Sequence, residues 1–72
     1  MTNNLPTMTP TEIEAIRDKL KLSRPRMASK LGVTARTYQR WAAGNRTIPG
    51  PAVLLAQRIL RDHENVNEDI HV

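Results

Sequence analysis

The chain has 72 residues, a net charge of +4 and no cysteine. A domain this short buries only about 60% of the surface its unfolded form exposes, enough for a few packed helices but not for an elaborate catalytic cleft. Without cysteine there is neither a disulfide framework nor a thiolate metal site. The longest apolar run, Ala52-Val53-Leu54-Leu55-Ala56, falls far short of the roughly 20 residues of a membrane span.

Residues 1–8 read as a polar, flexible arm without the charged start and apolar stretch of a signal peptide. Thr9 then serves as an N-cap, Pro10 takes the first helical position, and Glu12 completes a capping box. Met8 and Ile13 stand where a hydrophobic staple belongs. Ile13, Ile16 and Leu20 recur at helical spacing, which predicts a first helix over about 10–21, with Arg17, Lys19 and Lys21 on solvated faces.

Ser23 is the next cap, and Pro25 falls in a first turn where its missing N–H does no harm. Met27, Ala28 and Leu31 form an apolar face, so a second helix covers about 24–31, and Gly32 accepts the left-handed turn after it. Val33 points back into the core. Thr34 caps a third helix running to about Ala43 and ended by Gly44, with Tyr38 and Trp41 on its inner face. Residues 45–50 form a loop. Pro51 opens a fourth helix whose apolar residues are Val53, Leu54, Ala56, Ile59 and Leu60. No strand is expected in residues 9–61.

Beyond Arg61 the pattern thins to Val66, Ile70 and Val72. The charge is split at the same place. Residues 1–61 carry all 11 Lys and Arg against Glu12, Glu14 and Asp18, whereas 62–72 carry Asp62, Glu64, Glu68 and Asp69 and no Lys or Arg. The organisation expected is an arm over 1–8, a basic domain over 9–61, and an acidic tail over 62–72. The tail is either disordered or a short strand pairing with another chain. His63 and His71 lie among its carboxylates, where a solvated charge run is favoured over a metal site. A basic body beside an acidic tail suggests a polyanionic partner.

Two short helices joined through Gly32 and Val33 have the form of a helix-turn-helix. Its second helix enters the major groove, anchored from behind by large side chains and presenting hydrogen-bonding groups in front. Tyr38 and Trp41 are the anchors, and a helical projection turns Ala35, Arg36, Gln39, Arg40 and Ala43 outward. Arginine donates twice to guanine O6 and N7, and glutamine pairs with adenine. The small Ala35 lets the helix start approach the bases or touch a thymine methyl group.

Leu22-Ser23-Arg24, Met27-Ala28, Leu31-Gly32-Val33-Thr34, Arg36 through Trp41, Gly44 and Ile48-Pro49-Gly50-Pro51 together resemble the XRE family of lambda-repressor-like helix-turn-helix proteins. The resemblance runs from about Met8 to Leu60. It implies an all-α, compact bundle of four or five helices that binds double-stranded DNA as a homodimer. By position it makes Ala35, Arg36, Gln39 and Arg40 base readers, and it assigns phosphate contacts to Arg24, to Asn45 and Arg46, and to Thr37. Two departures stand out. Pro25 and Arg26 replace residues that are usually Gln, Glu or similar; Pro25 removes one N–H from a helix start, and Arg26 adds positive charge to the backbone contact. No fifth helix is evident after Leu60.

The expectation is therefore a small cytoplasmic transcriptional regulator. It would act as a repressor of phage or mobile-element type, occluding a palindromic promoter site as a dimer. Leu55, Ile59, Val66 and Ile70 are the expected dimer contact, because a small core does not need them all. The alternative is an antitoxin or interaction module whose tail binds a partner protein. Neither a nucleophile–base pair nor metal-ligand spacing appears in the body, so no enzyme, metal or cofactor is expected.

Overall fold

A computed structural model describes residues 7–69, with the backbone alone for 66–69. Four helices follow in chain order: α1 (Pro10–Leu20), α2 (Arg24–Lys30), α3 (Ala35–Ala42) and α4 (Gly50–Asp69). No strand occurs among the described residues, so the protein is all-α, as expected. Most of the expected arm, residues 1–6, lies outside the described residues, as do Ile70, His71 and Val72.

Each of the first three helices starts on a hydroxyl cap. The Thr9 Oγ1 accepts from the Glu12 N–H at 3.1 Å, while the Glu12 carboxylate accepts from the Thr9 N–H at 2.7 Å, a complete capping box. Ser23 Oγ accepts from the Arg26 N–H, and Thr34 Oγ1 from the Thr37 N–H, both at 3.2 Å. Each cap satisfies a backbone donor that a helix start otherwise leaves open.

The same three helices end alike. At the end of α2 the Gly32 N–H donates to the Ser29 carbonyl and the Val33 N–H to the Ala28 carbonyl, with Gly32 at φ +73°. These crossed bonds are a Schellman motif, and glycine takes the left-handed position without steric cost. Gly44 does the same after α3 at φ +82°. After α1 the left-handed position falls to Lys21, at φ 58°. A side chain is strained there by about 1 kcal/mol or more.

The core joins Ile13 and Ile16 of α1, Met27 and Ala28 of α2, Leu31, Tyr38 and Trp41 of α3, Ile48 of the loop, and Val53 and Ala56 of α4. Met8 packs on this cluster from before α1, where the staple was expected, and Val33 packs on it from the turn. α2 packs on α3, and α1 packs on both α3 and α4. Trp41 meets the Tyr38 ring edge-on, centroids 6.5 Å apart.

The fourth helix departs from expectation. It begins at Gly50 and continues through Asp69, so residues 62–69 are helical and form no strand. Nothing between Arg61 and Asp69 is Gly or Pro, so no residue there breaks the backbone pattern. Apolar periodicity stops near Leu60 because the core stops there. A helix can outrun the core it packs on.

Candidate nucleic-acid interface

The inner face of α3 is fixed by Tyr38 and Trp41, buried to 0% and 5% exposure. The opposite face carries Ala35, Arg36, Gln39, Arg40 and Ala43, all exposed. The structure thus brings the four expected base readers onto one solvent-facing surface of one two-turn helix. α3 lies directly after the Gly32–Val33 turn and packs on α2, the arrangement a helix-turn-helix requires.

The residues expected at the DNA backbone fall into two groups. Arg46 lines a cleft of about 370 Å³ with Thr37, Arg40, Trp41, Thr47 and Pro49. The cleft therefore joins a base-reading candidate, Arg40, to two phosphate candidates, and it adds Thr47, which sequence reasoning missed. A threonine in a polar loop gives no signal of its own; only folding carries it beside α3. Asn45 is exposed, and its backbone N–H closes α3 by donating to the Arg40 carbonyl at 2.9 Å. The Thr37 hydroxyl is half-buried and accepts from Thr34 Oγ1 at 3.1 Å. On the other side, Arg26 lines a shallow surface on α2 with Pro25, Ser29 and Lys30.

The charge of this surface is of one sign. No Asp or Glu lies between Asp18 and Asp62. Among the described residues the ion pairs are Arg17–Glu14 and Arg24–Glu14, so Arg26, Arg36, Arg40 and Arg46 carry no carboxylate partner. Unpaired guanidinium groups around one exposed helix attract a polyanion over a range set by the ionic strength.

Arg24 differs from these. Its Nε and Nη2 donate to Glu14 Oε1 at 3.2 and 2.9 Å. Glu14 also receives Arg17 through two hydrogen bonds, at 3.0 and 3.1 Å, and the Tyr38 hydroxyl. Arg17 Nη1 in turn donates to the Leu22 carbonyl at 2.8 Å, which ties down the α1–α2 connection. Arg17 is thus half-buried and bonded, not the solvated side chain that the sequence pattern suggested. One carboxylate on α1 holds the start of α2 and the back of α3 together. Burial raises the Glu14 pKa, but the hydrogen bonds from Arg17, Tyr38 and Arg24 outweigh it and hold it at about 2. Burial, and then the bond to Glu14, push the Tyr38 hydroxyl upward, so it remains a donor. The i, i+3 spacing of Glu14 and Arg17 was visible in the sequence; the partners 10 and 24 residues away were not.

Of the residues expected at a dimer contact, Leu55 is 38% exposed and Ile59 is half-buried against the core. Both line a groove of about 430 Å³ with Leu20, Leu22, Lys30, Asp62 and His63. Val66 lies in the described backbone of α4, and Ile70 lies outside the described residues. Leu54, 47% exposed, is a further uncovered apolar residue on α4. Among the described residues no three His, Asp or Glu side chains converge as a metal site would require, and no helix is long and apolar enough to cross a membrane.

A family model described as Helix-turn-helix matches residues 13–57, from Ile13 in α1 to Gln57 in α4. No curated protein matches the chain.

Proposed function

Since the chain belongs to the XRE family of helix-turn-helix proteins, DNA-binding transcription regulators, we propose that it is a repressor that binds a palindromic operator as a homodimer and excludes other proteins from the promoter. The observation that carries this reading is the exposed face of α3, where Ala35, Arg36, Gln39 and Arg40 stand together and the two arginines have no carboxylate partner among the described residues. Arg36 and Gln39 read base edges. Arg40 lies at the border between bases and backbone, and Arg46 and Thr47 hold phosphate at the cleft beside it. Arg24 and Arg26 contact the backbone on the α2 side. One recognition helix reads only a few base pairs, too few to single out a promoter. A two-fold pair doubles the site and sets half-sites about 10 base pairs apart.

The test separates base reading from charge attraction. Bound duplexes are first selected from a random pool. Arg36→Ala and Arg46→Ala are then titrated against the selected and a scrambled duplex over a range of salt. Arg36→Ala costs about 1–3 kcal/mol on the selected duplex and relaxes one base position per half-site. Arg46→Ala weakens both duplexes by similar factors and lowers the salt slope by about one per lost phosphate contact. If the two variants behave alike on both duplexes, α3 does not read sequence.

A further inference from the structure

α4 outruns the body that it packs on. Its buried residues are Val53 and Ala56, with Ile59 and Leu60 half-buried, and every residue from Arg61 to Asn65 is exposed. The helix nevertheless continues to Asp69. At 1.5 Å per residue the stretch past Leu60 extends about 13 Å. Short helices that pack on nothing are marginal in water.

At the root of this stretch lies the groove lined by Leu20, Leu22, Leu55 and Ile59, with Lys30, Asp62 and His63 on its rim. Leu55, Ile59, Asp62 and Val66 follow one another at spacings of four, three and four. That is the spacing by which one helix lies along another, with apolar residues at three of the four positions and a carboxylate at the fourth. The charges then choose the direction. The half of α4 before Asp62 holds Arg58 and Arg61, and the groove beside it holds Lys30; the half from Asp62 onward holds Asp62, Glu64, Glu68 and Asp69. Parallel α4 helices would set the carboxylates of both copies side by side. Antiparallel helices set the acidic half of each along the basic half of the other.

We propose that the groove is covered by a second copy of this chain, the two α4 helices antiparallel, with the stretch after Leu60 of each copy lying along Leu20, Leu22, Leu55 and Ile59 of the other. This rests on the dimer in the proposed function and specifies its surface and direction. It is an isologous contact, so every pairing occurs twice. The acidic stretch is thereby drawn to the α4 side of the body and away from DNA phosphate.

The absence of native cysteine makes the direction measurable. Leu55→Cys and Val66→Cys single variants are oxidised separately and as an equimolar mixture. The antiparallel contact gives a mixed disulfide between the two variants as the main cross-linked product. Self-linked Leu55→Cys and Val66→Cys dimers in place of the mixed one would establish a parallel pair and overturn the proposal. Sedimentation of the full chain supplies the second measurement. Leu55→Glu, at a position already 38% exposed, leaves the helical content unchanged and weakens self-association by about 100-fold, since the substitution occurs twice per dimer. A dimer unaffected by Leu55→Glu removes this surface but leaves the dimer. A chain that stays monomeric both free and on the selected operator removes both, whereas binding of that operator by Leu55→Glu at high concentration shows that the DNA-reading surface is intact.

Discussion

Replacing Glu14 by glutamine probes a place where α1, α2 and α3 are joined by charge and hydrogen bonds. The substitution keeps the shape and, with its oxygen in place of Oε2, an acceptor for the Tyr38 hydroxyl; it removes the charge shared by Arg17 and Arg24 and puts an amide NH2 where Oε1 accepts from both guanidinium groups. The Glu14 carboxyl sits at about 2 instead of its ordinary 4.5. A difference of that size corresponds to about 3 kcal/mol in favour of the folded state. Arg24 is 51% exposed, so water screens part of this. The expected loss in Glu14→Gln at pH 7 is therefore about 2 kcal/mol, a large share of the few kcal/mol available to a domain of this length. The sign gives the pH dependence. A depressed carboxyl stabilises fully above its unfolded value and loses that contribution as pH falls through its folded value. The gap between parent and variant should stay constant from pH 7 to about 5, shrink between about 4.5 and 2, and close below that. Urea unfolding followed by Trp41 fluorescence at each pH measures it. The two proteins differ at residue 14 alone, so their difference at each pH isolates Glu14. Parallel curves down to pH 2, or no gap at pH 7, would show that Glu14 does not hold the three helices.

Two further substitutions test the packing and the helix ends. Trp41→Ala empties the inner face of α3 at a residue 5% exposed and should cost about 3–5 kcal/mol, so the variant should be largely unfolded by circular dichroism; melting close to the parent would mean that α3 is rotated from the orientation described. Lys21→Gly relieves the left-handed backbone after α1 and should stabilise by about 0.5–1 kcal/mol in urea titration, part of the relief being offset by the greater freedom of glycine in the unfolded chain; a loss of stability would show that Lys21 contributes contacts that outweigh its strain.

What was legible in the sequence was local. Thr9 with Glu12, Ser23 with Pro25, and Thr34 each announce a helix start within four residues, because the cap and the donor it satisfies are that close. Gly32 and Gly44 announce two helix ends for the same reason. The end of α1 carried no such mark, since Lys21 does there what glycine usually does. The faces of α3 followed from spacing alone, because two turns of helix fix which residues share a side. The long-range joints were not legible. Nothing near Glu14 signals that Arg24 and Tyr38 will reach it, and nothing near Thr47 signals the cleft with Arg40. The length of α4 was missed for another reason: the reading followed burial, and the helix continues where burial ends.

The Glu14 joint also changes the part that Arg24 can take. Read from the sequence, Arg24 and Arg36 are two cations on either side of a turn. In the structure Arg36 is unpaired, while Arg24 gives one N–H from Nε and one from Nη2 to Glu14. A guanidinium has five N–H donors. Three remain on Arg24, both on Nη1 and the second on Nη2, and phosphate can accept from them without displacing the carboxylate. In the proposed complex Arg24 would approach DNA already held, with less side-chain freedom to lose than an arginine on open surface. Its net attraction is smaller, because Glu14 partly cancels its charge. Removing Arg24 therefore loses part of the α1–α2 joint together with the phosphate contact proposed for it. For that reason Arg46, which has no carboxylate partner among the described residues, is the cleaner test of the proposed backbone attraction, and Glu14 serves that proposal indirectly, by holding the start of α2 and the back of α3 in place.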